Sequence, residues 1–134
     1  MAPYRIVLAD DHVLVRQGIK RIIQEDVDLA VTGEAGDGLE LLELLKTNGI
    51  PDLVILDISM PKLRGLEATK RIKENYPKVK VLILTMHKDK EFFRKAMANG
   101  ADGYLLKEDA DLALHAAIRA IRGGSTFVSP LLTS

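Results

Sequence analysis

Two adjacent carboxylates, Asp10 and Asp11, follow the apolar run Tyr4–Ala9, and a third, Asp57, follows Leu53–Leu56. A hydroxyl, Thr85, follows Val79–Leu84, and an ammonium, Lys107, follows Gly103–Leu106. The pattern repeats four times: a short stretch rich in Val, Ile and Leu ends in a group able to do chemistry. The groups are far apart in sequence, so only a fold that gathers the ends of these runs can assemble them. Three gathered carboxylates cannot all stay ionised unless a cation compensates them. Oxygen donors without imidazole or thiolate suit Mg2+, which takes a few carboxylates, waters and a phosphate oxygen. An Asp beside Mg2+, a Lys and a Thr hydroxyl can accept a phosphoryl group, the cations neutralising its oxygens while the carboxylate attacks in line.

Each of these residues also has a plainer reading when taken singly. Asp10 or Asp11 can cap the helix that follows, and Asp57 can serve the turn before Met60-Pro61. Thr85 has strand propensity, Lys107 can be a solvated surface group, and Tyr104 can be core. Co-location favours the chemical reading, because four independent structural roles would otherwise coincide at one edge.

The runs that carry these groups are too short for helices. Four of them have the composition of strands buried on both faces, while Leu29–Ala35, more polar and holding Gly33 and Glu34, suits a sheet edge. Helical spacing lies between the runs. Val15, Ile19, Ile22 and Ile23 form one stripe in Val13–Glu25; Leu41, Leu42 and Leu45 do so in Gly38–Asn48. Gly65–Tyr76, Lys90–Asn99 and Ala110–Arg122 follow the same rule, and Asn48-Gly49, Asn99-Gly100 and Gly123-Gly124 supply helix stops. Strand starts at 4, 29, 53, 79 and 103 define five βα units of 24 to 26 residues. Alternating β and α implies a parallel sheet with right-handed crossovers, and five units are too few for an eight-fold barrel. The expectation is an open, doubly wound α/β sheet, whose ligands bind outside the carboxyl ends of its strands.

Composition agrees with one such domain. The chain has 134 residues, 47% of them hydrophobic, with 19 basic and 19 acidic side chains. A chain of this size buries roughly 65–70% of its unfolded surface and folds without staples. With no Cys there are no disulfides or thiolate metal sites. Zero net charge gives no electrostatic footprint for non-specific nucleic-acid binding. No apolar run approaches the roughly 20 residues of a membrane span, and Met1–Arg5 carries no signal-peptide core. A soluble, cytoplasmic, single-domain protein without membrane contact is expected.

Four motifs, in order and at strand ends, carry a resemblance. They are Leu8-Ala9-Asp10-Asp11-His12, Asp52-Leu53-Val54-Ile55-Leu56-Asp57-Ile58-Ser59-Met60-Pro61, Leu82-Ile83-Leu84-Thr85 and Gly103-Tyr104-Leu105-Leu106-Lys107. Together they resemble the receiver domain of bacterial two-component response regulators. Gly33-Glu34-Ala35-Gly36-Asp37-Gly38 and Arg119-Ala120-Ile121-Arg122-Gly123-Gly124 are similar to the NarL/FixJ-type subfamily, whose receivers precede a helix-turn-helix domain. The resemblance implies a (βα)5 flavodoxin-like sheet in the order 2-1-3-4-5. It makes Asp57 the phosphoacceptor and implies Mg2+ held by Asp11, Asp57 and the Ser59 carbonyl, with Asp10 acting through water. It gives Lys107 a contact to the phosphoryl group, Thr85 and Tyr104 the role of a switch, and Ser59 and His87 a part in acyl-phosphate lifetime. It further implies a sensor histidine kinase as partner, a homodimer on phosphorylation, and no stand-alone enzyme activity beyond self-phosphorylation and acyl-phosphate hydrolysis. Many receivers have Pro after the loop Lys, often with a cis bond. Here Glu108 follows Lys107, and a cis non-proline bond costs about 3–4 kcal/mol, leaving the isomer at 107–108 open.

Residues 1–122 are thus expected to form the receiver and 123–134 a linker toward a DNA-binding domain outside this chain, through which alone DNA would be bound. Other functions fit less well. A Mg2+-dependent phosphohydrolase with an aspartyl-phosphate would share the acids, but Ser59 stands where a second Asp would act as general acid. A nucleotide-binding module lacks both G-x-G-x-x-G and G-x-x-x-x-G-K-[ST]. A receiver-like binding module that is never phosphorylated is a further alternative. His12 and His115 have no partners at ligand spacing and read as surface or packing residues. Phe92 reads as half-buried on the fourth helix.

Overall fold

A computed structural model describes residues 3–133. Five strands and five helices alternate: β1 Tyr4–Ala9, α1 Val13–Gln24, β2 Leu29–Ala35, α2 Gly38–Thr47, β3 Leu53–Leu56, α3 Gly65–Asn75, β4 Lys80–Thr85, α4 Lys90–Ala98, β5 Gly103–Leu106 and α5 Ala110–Arg122. The strands form one parallel sheet in the expected order, β2-β1-β3-β4-β5, extended by a sixth strand. The helix boundaries follow the sequence stops. Positive φ at Gly49 and Gly100 lets the chain turn out of α2 and α4 just after their Asn caps.

Alternate strand residues feed two cores. Ile6, Leu8, Leu53, Ile55 and Leu82 face α1 and α5, against Ile19, Ile23, Leu114, Ile118 and Ile121. Val7, Val54, Leu56, Val81 and Ile83 face α2, α3 and α4, against Leu41, Leu45, Ala68, Ile72 and Ala96. Each fully buried Leu or Ile contributes about 1.5–3 kcal/mol, so this two-sided burial is the main force holding β1, β3 and β5 in place. The α1 stripe is shorter than its spacing suggests: Ile19 and Ile23 are buried, whereas Val15, in the first turn, is exposed.

The C-terminal segment departs from the expected linker. Phe127–Val128 forms β6, pairing in parallel with Gly103 and Tyr104 of β5, and Pro130–Thr133 forms a short α6. Ser129, fully buried, accepts the Leu106 amide on its hydroxyl at 3.1 Å and donates to Asp109 at 2.6 Å. Leu132 joins the α2–α3–α4 core. Without β6 the β5 edge would leave backbone groups unpaired; a Gly/Ser/Pro-bearing stretch with only Phe127 and Val128 adjacent gives little period from which to read that pairing.

Candidate functional site

The sheet register brings the acids together. Ala9 pairs with Leu56, so Asp10 and Asp57 emerge side by side, and the Asp57 amide donates to the Ala9 carbonyl at 3.1 Å. Strand order reverses at this pair: β1 leads outward to β2, and β2 crosses back to β3, the position where such sheets bind ligands. Thr85 pairs with Leu106, which sets Lys107 beyond the end of β5 at the same edge. Lys107 reaches across two strands: its Nζ lies 2.7 Å from Asp10 Oδ2 and 3.3 Å from Asp57 Oδ2.

Both carboxylates are nearly inaccessible, Asp10 at 6% and Asp57 at 4% exposure, whereas Asp11 is exposed. Burial opposes the Lys107 charge, but the hydrogen bond to Asp10 and the attraction of Asp57 and Asp10 outweigh it, and the ammonium is held more firmly than usual. One cation thus compensates part of a three-carboxylate cluster. Neither Asp10 nor Asp11 caps α1, which starts after His12 without a side-chain cap; Asp10 Oδ1 instead accepts the His12 amide at 2.9 Å.

One ligand atom each from Asp10, Asp11, His12 and Asp57 fall within 4.8 Å of one another. Donors around a Mg2+ ion at about 2.1 Å stand up to about 4.2 Å apart, so the oxygen set fits this ion with little adjustment. The sequence marks His12 as a surface or packing residue. Its exposed ring lies at the cluster, with Nδ1 3.3 Å from both Asp10 Oδ1 and Asp11 Oδ1. Its place directly after the acid pair was the available signal. His115 is 3.5 Å from Glu25, away from the site.

The β3–α3 loop follows directly after Asp57. Leu63 N–H donates to the Pro61 carbonyl at 2.7 Å across Lys62, whose φ is 67°, making a γ-turn. The loop then returns so closely that Gly65 has no room for a side chain: a Cβ there would stand 2.2 Å from the Asp57 carbonyl oxygen. The 107–108 bond is trans, as are all peptide bonds among the described residues.

Thr85 is buried, and its Oγ1 accepts the His87 amide at 3.2 Å. Tyr104 is fully buried as well, its ring edge-on to Phe93 at 5.4 Å and its hydroxyl donating to the His87 carbonyl at 3.0 Å. Burial, with the charges of Asp89 and Asp57, pushes the phenol up to about 12. His87 also joins Ser59 at 2.6 Å and stacks obliquely on half-buried Phe92, so the loops after β3 and β4 are bridged beside Asp57. Sequence reasoning did not single out Arg16, whose guanidinium reaches the Asp10 carbonyl from α1. Its signal was its place on the edge of the Ile19–Ile23 face.

No helix among the described residues is long and apolar enough to cross a membrane. The response regulator receiver domain family matches residues 6–119. The transcriptional regulatory protein DegU of Brevibacillus brevis is 41% identical over 130 residues, covering 96% of this chain and 54% of DegU. The chain therefore spans about half the length of that relative. A LuxR-family two-component response regulator from Aurantimonas superposes with a TM-score of 0.91 at 38% identity, over 98% of this chain and 94% of that one. The signal receiver domain of the NarL regulator from Mycobacterium tuberculosis does so with a TM-score of 0.86 at 31% identity, over 92% of this chain and 99% of that one. With the acid pair, the β3 Asp, the β4 Thr and the β5 Lys assembled at one sheet edge, the chain belongs to the response regulator receiver domain family, in its NarL/FixJ-type branch.

Proposed function

We propose that this receiver accepts a phosphoryl group on Asp57 from the phosphohistidine of a sensor kinase, and that the modification switches a transcriptional output domain beyond this chain. The observation that carries this reading is the reach of Lys107 to the Asp10 and Asp57 carboxylates at the mouth of the sheet. A buried ammonium there marks where the equatorial oxygens of a phosphoryl group would be met. An Asp57 carboxylate oxygen forms the new O–P bond as the donor's N–P bond breaks, with the imidazole nitrogen leaving. Asp11, Asp57 and the Ser59 carbonyl would hold Mg2+, with Asp10 acting through water; when bound, the ion supplies charge neutralisation at the transferring group.

After transfer, Lys107 exchanges its carboxylate partner for a phosphoryl oxygen, and the Thr85 hydroxyl turns from the His87 amide toward the same group. Tyr104, tied to His87, couples that shift to the loop after β4. The Ser59–His87 bridge tunes how water reaches the acyl-phosphate, whose slow hydrolysis resets the switch; the chain is no enzyme beyond these self-directed steps. Residues 123–134 begin the connection to a helix-turn-helix output domain, which alone would bind DNA, in the cytoplasm. Exposed Leu14 on α1 and Leu112 on α5, which pack on the same sheet face, support homodimer formation on phosphorylation.

The test is intact mass after incubation with a small phosphodonor, with and without Mg2+, for the native chain and Asp57→Asn, with sedimentation of the same samples. A single phosphoryl adduct that needs Mg2+, disappears in the variant and shifts the chain toward dimer is expected. A folded native chain that takes no adduct would sink the phosphoacceptor reading, and an adduct without a change in sedimentation would remove the dimer.

A further inference from the structure

Beside the acidic cluster lies a second polar network. Arg16, on the first full turn of α1, is mostly covered, with 17% of its side chain exposed. Its Nε donates to Glu34 Oε1 at 3.1 Å, and one terminal nitrogen reaches the backbone carbonyls of Asp10 at 2.5 Å and Ala35 at 3.5 Å. Those carbonyls end β1 and β2, and the Asp10 amide itself donates to Ala35 at 3.0 Å. Lys20, one turn further along α1, meets the other Glu34 oxygen at 3.0 Å and has no bond to either carbonyl.

Glu34 reaches α1 only because β2 is irregular. Ile6 pairs with Val31 but Val7 pairs with Gly33, so Thr32 is an extra residue against β1. Side chains alternate faces along a strand, and one inserted residue inverts the phase beyond it. Val31 lies beside Ile6 on the α1–α5 face; without the insertion Glu34 would face α2. With it, Glu34 lies beside Leu8, on the α1 side. A bulge, a mostly covered guanidinium and its carboxylate partner therefore converge on the backbone of the first acid.

We propose that Arg16 is a positioning residue for the acidic site: anchored by Glu34, its guanidinium clamps the ends of β1 and β2 and fixes the backbone from which Asp10 and Asp11 present their carboxylates to a divalent cation. The proposal rests on the reading of the cluster as a Mg2+ site. Arg suits the role because its planar fork serves a carboxylate and a carbonyl at once, which a single ammonium cannot do with the same geometry. Its charge also lies next to the Asp10 peptide and offsets part of the repulsion that gathering three carboxylates creates.

The experiment is a Mg2+ titration followed by NMR amide shifts, on the native chain, Arg16→Met, Glu34→Gln and Lys20→Met, with thermal unfolding of each without metal. Residues that orient metal ligands typically change affinity by about 10–100-fold. Arg16→Met is expected to weaken Mg2+ binding about tenfold, and Glu34→Gln to weaken it less. Lys20→Met removes an ion pair to the same Glu34 and is expected to stay within about twofold of the native affinity, which separates the clamp from a general loss of stability. Should Arg16→Met fail to fold, Glu34→Gln against Lys20→Met carries the comparison. Arg16→Met binding Mg2+ like the native chain, or Lys20→Met weakening it equally, would overturn the clamp alone. A folded native chain that binds no Mg2+ would overturn the clamp and the metal site together.

Discussion

Tyr104 illustrates how one side chain ties core packing to the site. Its ring fills the core between β5 and α4, and its hydroxyl is the polar end that reaches the loop after β4. Because its ordinary value of 10.0 is pushed up to about 12, the folded chain retains a proton that the unfolded chain loses in this window. Stability therefore falls as pH rises from about 10 to about 12, by up to about 2–3 kcal/mol from this group. Tyr104→Phe cannot ionise, so its stability curve, measured by denaturant unfolding between pH 9 and 12, is expected to be flatter than that of the native chain by this amount. Parallel curves would mean that the phenol is not held in the apolar setting described.

At the scale of elements, α3 approaches the end of β3 at backbone distance. Gly65 donates its amide to Ile58 at 3.0 Å, and a Cβ there would stand 2.2 Å from the Asp57 carbonyl and 2.8 Å from the Ile58 Cα. In an open helix, Gly→Ala gains about 0.5–1 kcal/mol. Here the obstacle is backbone, which yields only by moving, and overpacking costs about 1–3 kcal/mol. The clash wins. Gly65→Ala is expected to lower stability by about 1–2 kcal/mol and to slow phosphorylation of Asp57, measured by denaturant unfolding and by the rate at which intact mass increases. A variant as stable and as reactive as the native chain would show that α3 can retreat without disturbing the acid.

Over the whole molecule, the strand that leads into Lys107 is paired on both sides. β4 lies on one side and the C-terminal β6 on the other, and Ser129 locks the Leu106 amide immediately before Lys107. Ser129→Ala leaves the buried Leu106 amide and the Asp109 carboxylate without this partner, an expected cost of about 1–3 kcal/mol. Hydrogen exchange should show faster exchange at Leu106 and across β6, with β1 and β3 unchanged. Equal protection throughout would mean that β6 contributes nothing to the order of β5.

The five βα units, the edge position of β2 and the gathering of Asp10, Asp57, Thr85 and Lys107 at one sheet end were legible from the chain. Hydrophobic period and the abrupt polar residue after each run are local patterns, and a parallel sheet converts them into a place. Features that were not legible include the insertion at Thr32 that turns Glu34 toward Arg16 and the pairing of β6 through Ser129. Each depends on which neighbour lies across a strand or helix. A run of residues encodes its own period, whereas register, bulge phase and the partner of a buried polar group are settled only when separate elements pack and every buried donor must find an acceptor.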